Sequence, residues 1–211
     1  MAQRSNEEYK RAALALANAS RQVRSRSVIV SSAVAGEGAT TAAIFMGRHL
    51  RNDLGFTPVV MEVNSLRPAL AKWFHFNSGK SLASAAEGSA GITDCIHKDP
   101  TGLAMIPVGT NGSGAGIPEL EKLICHSVQE LQNHFDFILL DAPPVLESAD
   151  VLIAGRVVPN TILVVGAGRT SQQAVRQACR ELRDARMQVV GSILNSRERI
   201  LPHWLDRWMQ R

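Results

Sequence analysis

Between Val28 and Thr41 the chain runs from a β-branched stretch through a Gly-Glu-Gly turn into an apolar helical segment that opens on Thr40 and Thr41. Strand, glycine turn and helix in this order are what a phosphate-binding loop requires. Gly36 and Gly38 allow successive backbone N–H groups to point inward as an anion nest, and the following helix adds its positive end. Laid on the pattern G-x-x-x-x-G-K-[ST], Gly38 takes the second glycine, Thr40 the hydroxyl, Ala33 the first glycine slot and Ala39 the lysine slot. The candidate phosphate contacts are therefore Gly36, Glu37, Gly38, Ala39, Thr40 and Thr41. Ala39 supplies no ammonium to the β- and γ-phosphates. Losing one charge-assisted hydrogen bond weakens binding by roughly 1.5–3 kcal/mol, whereas losing a donor that acts in the transition state lowers a rate by about 10²–10³. Catalysis is expected to suffer more than binding. A dinucleotide fingerprint fits less well, because Thr41 stands where its third glycine would be.

Two acids close apolar runs. Phe137–Leu140 ends in Asp141, which in an open α/β sheet falls at the carboxyl edge where ligands bind. An aspartate there can hold Mg²⁺ while the Thr40 hydroxyl coordinates it, so Thr40 and Asp141 are the candidate metal pair. Val59–Met61 ends in Glu62, with Asn64 two residues on; strand alternation puts both on one side. Asp141 and Glu62 are the candidate catalytic groups. Cys125 and His126 are neighbours in print, but adjacent helical residues face apart and are read as packing.

Several further elements must position these groups. Helical patterning is expected over Asn6–Arg21, with Ala13, Leu14, Leu16 and Ala17 on one face, and around Thr40–Leu50, Pro118–Asn133 and Ser171–Ala185. Strands are expected at Val28–Val30, Pro58–Val63, Leu103–Pro107, Phe137–Leu140, Ile162–Val165 and Val189–Leu194. Alternation of helices with strands that are apolar on both sides predicts an α/β fold, a mostly parallel sheet flanked by helices on both faces. Gly166 and Gly168 read as a strand-terminal turn. The expected division is residues 1–25 as a leading helix, 26–196 as the core domain and 197–211 as an amphipathic tail. The formal net charge is only +4 and the arginines are scattered, so nucleic acid is not the expected partner. Three widely spaced cysteines fit reduced thiols, and no apolar run reaches the length of a bilayer span, so a cytoplasmic location is expected.

These motifs together resemble the bacterial tyrosine kinases of capsule and exopolysaccharide systems, relatives of the MinD/ParA deviant-Walker P-loop NTPases. Ser32–Thr41 is similar to S-x-x-P-G-E-G-K-S/T-T, Met61–Pro68 to I-D-A-D-x-R-x-P, Phe135–Val145 with Asp150 to the Walker B segment, Ser81–Gly88 to G-L-x-D-x-L-x-G, and Gly191–Asn195 to G-V-V-L-N. The resemblance implies ATP or ADP with Mg²⁺ as cofactor and adds Asn195 as an adenine contact and Arg67 as a stand-in for the arginine slot that Leu66 fills. The departures fall on chemistry: Ala39 for lysine, Glu62 and Asn64 for aspartates, and Leu14 for the last arginine of E-x-x-R-x-x-R, which is tied to ring assembly and begins here at Glu8 and Arg11. Asn64 can neither carry negative charge nor act as a base. Tyr9 is the only tyrosine in this sequence, so its last residues are not expected to serve as the tyrosine-rich tail that the family phosphorylates. The combination implies a degenerate, pseudokinase-like protein with weak or absent nucleotide binding. It would act as a regulatory or docking partner of an inner-membrane polysaccharide co-polymerase, peripheral at that membrane through its partner and open to oligomer formation. Two alternatives are an active tyrosine kinase or ATPase of the same pathway and a MinD/ParA-like membrane-associated switch.

Leu201, Trp204, Leu205 and Trp208 recur at helical spacing on one face after Pro202. Such a stripe is expected to pack on its own domain or, alternatively, to dock at a membrane interface or on the co-polymerase through residues 200–211.

Overall fold

The computed structural model describes residues 2–19, 26–76, 79–109 and 117–195. The tail stripe at 200–211 and the glycine-rich stretch at 111–116 lie outside the described residues.

Among the described residues, seven strands form one sheet: β1 (Ser27–Ser32), β2 (Pro58–Glu62), β3 (His97–Lys98), β4 (Ala104–Ile106), β5 (Phe137–Asp141), β6 (Asn160–Gly166) and β7 (Gln188–Asn195). Their spatial order is β3-β4-β2-β5-β1-β6-β7, and every pairing is parallel except β3 with β4. The six expected strands are present, and the two-residue β3 adds an antiparallel edge that is too short to leave a periodic signal. Around the sheet lie α1 (Ala2–Ala19), α2 (Ala39–Asn52), α3 (Leu70–Phe74), α4 (Leu82–Ala86), a 3-10 turn at Ile92–Cys95, α5 (Ile117–Leu131), α6 (Asp150–Val157) and α7 (Gln172–Asp184).

Strand alternation divides the core between the two faces. Val28, Val30, Val60, Phe137, Leu139 and Ile162 pack with Tyr9 and Ala13 of α1 and Ile44, Met46 and Leu50 of α2. Ile29, Val59, Met61, Ile138, Leu140 and Leu163 pack with Ile124 and Leu131 of α5, Val151 of α6 and Leu182 of α7. Both faces are covered, which is why β1, β2 and β5 are buried from end to end.

Helix α1 turns the expected Ala13, Leu16 and Ala17 toward the core, with Leu14 as the exception. Tyr9, Ala13 and Ala17, four residues apart, are buried, whereas Leu14 is exposed because it is rotated about 100° from Ala13. Tyr9 stacks on Phe45 of α2 with ring centroids 5.5 Å apart. Helix α6 is absent from the expected elements, since its run from Val151 to Val158 is apolar enough to read as strand or helix.

Candidate functional site

The loops that follow β1, β2, β5 and β6 all leave the carboxyl edge of the sheet, and β1 sits between β5 and β6. Ala142 and Val145 donate backbone N–H bonds to Val30 and Ser32, and Leu146 donates to Ala33. The segment after β5 is thereby laid along the start of the phosphate loop. Gly36 has φ of 80° and Gly38 has φ of 89°, the left-handed conformations that the nest requires and that side chains rarely tolerate. Among the described residues, the backbone N–H groups from Gly36 to Thr41 have no protein acceptor. A run of donors without acceptors at the start of a 14-residue helix has a geometry and charge suited to an anion.

The loop is braced from behind. Glu37 is buried, with Oε2 accepting from Val34 N at 2.9 Å and Oε1 from Gly166 N at 2.7 Å and from the Thr170 hydroxyl. Its carboxylate therefore holds the loop to the end of β6 and leaves only its backbone N–H for a ligand. Asn195 Nδ2 donates to the Glu37 carbonyl at 2.8 Å, and Asn195 Oδ1 accepts the Tyr9 hydroxyl at 3.0 Å. The amide lies so close to Gly38 that a β-carbon there would collide with it. Asn195, expected as an adenine contact, has both ends of its amide engaged in supporting the loop. Burial, opposed by the Asn195 bond, raises the Tyr9 pKa.

Asp141 is fully buried at the end of β5, and neither carboxylate oxygen has a hydrogen-bond partner of good geometry. Burial pushes its pKa up to about 8; the nearby Thr40 hydroxyl lowers it, and the Glu62 charge on the neighbouring strand raises it further. A bare, desolvated carboxylate next to a half-buried threonine hydroxyl fits a divalent cation, which would relieve the burial cost by supplying the opposite charge.

Glu62 is also fully buried, but its carboxylate is occupied. Oε1 accepts from Ala69 N at 2.6 Å and Leu70 N at 3.0 Å, and Oε2 accepts from Val108 N at 3.0 Å. It fastens the start of α3 and the end of β4 to β2. Three backbone donors thus meet the two oxygens of Glu62, one of the two expected catalytic groups. Asn64 is likewise committed, with Oδ1 accepting from Arg67 N at 3.2 Å in a turn that sends the loop back. Both groups are buried, so the pair is not a solvated strand end. Arg67 reaches Glu147 at 3.2 Å, and the other Glu147 oxygen accepts the Ala35 N–H at 2.6 Å. Glu147 and Tyr9 were not among the expected site residues, and nothing in the spacing of either marks it; only the fold brings them to the loop. Asp150 opens α6 and accepts the Ser65 hydroxyl at 3.2 Å. Cys125 and His126 take no part in the site, and His126 pairs with Glu130 one turn away.

No family model matches the chain. The tyrosine-protein kinase YwqD of Bacillus subtilis is 23% identical over 203 residues, covering 92% of this chain and 81% of that protein. Among solved structures, the chimerical protein CapA2B2 superposes with a TM-score of 0.79 at 17% identity, over 92% of this chain and 85% of that one. The kinase domain of the Escherichia coli tyrosine kinase ETK gives 0.75 at 19% identity, over 89% and 74%. The same fold extends to the cobyrinic acid a,c-diamide synthase of Mycobacterium smegmatis with bound ATP analogue and magnesium, with a TM-score of 0.72 at 16% identity over 88% and 78%. The chain is thus similar in sequence to bacterial tyrosine-protein kinases and shares the P-loop fold of these structures.

Proposed function

We propose that the protein is a degenerate tyrosine-kinase-like P-loop domain that binds nucleotide phosphate weakly and acts as a regulatory or docking partner of an inner-membrane polysaccharide co-polymerase in capsule or exopolysaccharide production. The observation that carries this reading is the contrast within one site: the nest is formed and its N–H groups are free, yet Ala39 puts a methyl group where the phosphate cation belongs. Glu62 adds to it, because a carboxylate held by three backbone donors cannot take a proton from a substrate hydroxyl without breaking the scaffold. Thr40 and Asp141 would hold Mg²⁺, which supplies charge neutralisation to phosphate oxygens when bound. Gly36, Gly38 and Ala39 orient the anion through their backbone N–H groups, and α1, through Tyr9 and Asn195, keeps the loop in shape. Tyr9 is buried with its hydroxyl engaged, which makes it a poor phosphate acceptor.

Calorimetry with MgADP and turnover of ATP test this reading. Binding weaker than micromolar and no turnover above background are expected. Ala39→Lys should tighten ATP binding by about 1.5–3 kcal/mol if the loop keeps its geometry. Sub-micromolar affinity in the native protein would mean that the lysine is dispensable, and phosphorylation of a partner tyrosine that is abolished by Asp141→Ala would establish the second reading, an active kinase. That second reading draws on the unpartnered Asp141 carboxylate beside Thr40, a metal site left intact. Membrane or partner contact through residues 200–211 belongs to the same proposal.

A further inference from the structure

The rim of the phosphate loop carries an anion of the protein's own. Glu147, in the connection from β5 to α6, places Oε1 2.6 Å from Ala35 N and Oε2 3.2 Å from an Arg67 guanidinium nitrogen. One carboxylate thus joins the phosphate loop to the loop after β2. The contact differs in kind from that of Glu37, whose acid is buried and braces the loop from behind. The Glu147 and Arg67 side chains are 30% and 60% exposed, so this contact is held by charge and hydrogen bonding rather than by packing. It is also the contact that a phosphate oxygen would make: a loop N–H on one side and a guanidinium on the other.

We propose that Glu147 is an internal competitor for the phosphate loop, and that a polyphosphate must displace it, which turns Arg67 over to the ligand as the cation that Ala39 does not supply. The proposal rests on the reading of the loop as a phosphate site. Two effects follow from the geometry. While Glu147 stays at Ala35, its charge repels an incoming polyphosphate, and Arg67 is neutralised by a partner within the chain. Once Glu147 moves away, the repulsion falls and the guanidinium gains a partner with which it can form paired hydrogen bonds. Affinity is therefore set by an exchange of anions, and the acid limits it.

Calorimetry on the full chain with MgATP and, separately, inorganic tripolyphosphate tests the exchange. Glu147→Gln keeps the shape of the side chain and removes its charge; it should tighten both ligands by about tenfold, the scale of one charge-assisted hydrogen bond. Adding Arg67→Gln should remove that gain. Glu121→Gln, which removes an exposed acid paired with Arg156 on the α5–α6 side, should change neither affinity. The proposal is overturned if Glu147→Gln binds no more tightly, if Glu121→Gln gives the same gain, if the gain survives loss of Arg67, or if it appears with ATP but not with tripolyphosphate. Binding by the native chain without a gain in Glu147→Gln would remove this proposal alone. Absence of binding to either ligand in every variant would remove the phosphate-site reading and this proposal with it.

Discussion

Replacing Asp141 with asparagine should shift stability in favour of the variant by far more at pH 8 than at pH 5. The carboxyl is fully buried, has no hydrogen-bond partner of good geometry and faces Glu62 across the β2–β5 pairing, and its pKa stands at about 8. In the unfolded chain an aspartate titrates near 3.9. Between those values the folded state holds a proton that the unfolded state does not, so stability falls as pH rises. The loss is absent below the unfolded pKa, grows by about 1.4 kcal/mol per pH unit, and is complete above the folded one. It amounts to about 1.5 kcal/mol at pH 5 and about 5 kcal/mol at pH 8. The Asp141→Asn side chain would keep the volume and lose the charge. Burying an unpaired amide costs about 1–3 kcal/mol of its own, independently of pH. The difference between the two pH values, about 3–4 kcal/mol, is therefore the cleaner quantity. Urea denaturation followed by circular dichroism at pH 5, 6.5 and 8 on both proteins measures it. Mg²⁺ should raise the stability of the native chain at pH 8 and leave Asp141→Asn unchanged, because the ion pairs with the carboxylate. Parallel pH curves for the two proteins would refute the argument, since they would mean that the carboxylate is hydrated or paired in solution.

Glu62→Gln should destabilise the domain by about 3–5 kcal/mol in the same denaturation assay, because a buried hub of hydrogen bonds loses its charge and one acceptor becomes a donor facing donors; an unchanged midpoint would return Glu62 to the list of catalytic candidates. Tyr9→Phe keeps the ring on Phe45 and deletes only the hydroxyl bond to Asn195, so about 1 kcal/mol should be lost. Amide exchange in that variant should quicken from Gly36 to Thr41 more than elsewhere, and uniform quickening would show that α1 does not support the loop in particular. Removing residues from Ile200 onward should leave the melting temperature nearly unchanged while releasing the protein from membranes or its partner; strong destabilisation would assign that segment to the core instead.

The sequence by itself determined the layout. β-branched runs apolar on both faces, alternating with amphipathic helices, admit a parallel sheet covered on two sides, and a glycine turn between strand and helix fixes where an anion can sit, because these signals are local and periodic. The absence of a cation at Ala39 is equally legible, since a methyl group cannot become an ammonium in any fold. What the local signal could not carry is the direction in which a polar side chain is used. Glu62 and Asp141 both end apolar strands and lie side by side in the sheet, yet one is saturated by Ala69, Leu70 and Val108 and the other is left bare. The donors that decide this come from loops up to 46 residues away. Asn195 and Glu37 are 158 residues apart in the chain, and Ala35 and Glu147 are 112 apart; each pair meets only because β1 is placed between β5 and β6, with β7 beyond. Hydrogen bonds act over about 3 Å, so the tertiary structure alone decides which acid is left bare, which braces the phosphate loop from behind and which contacts it at the rim.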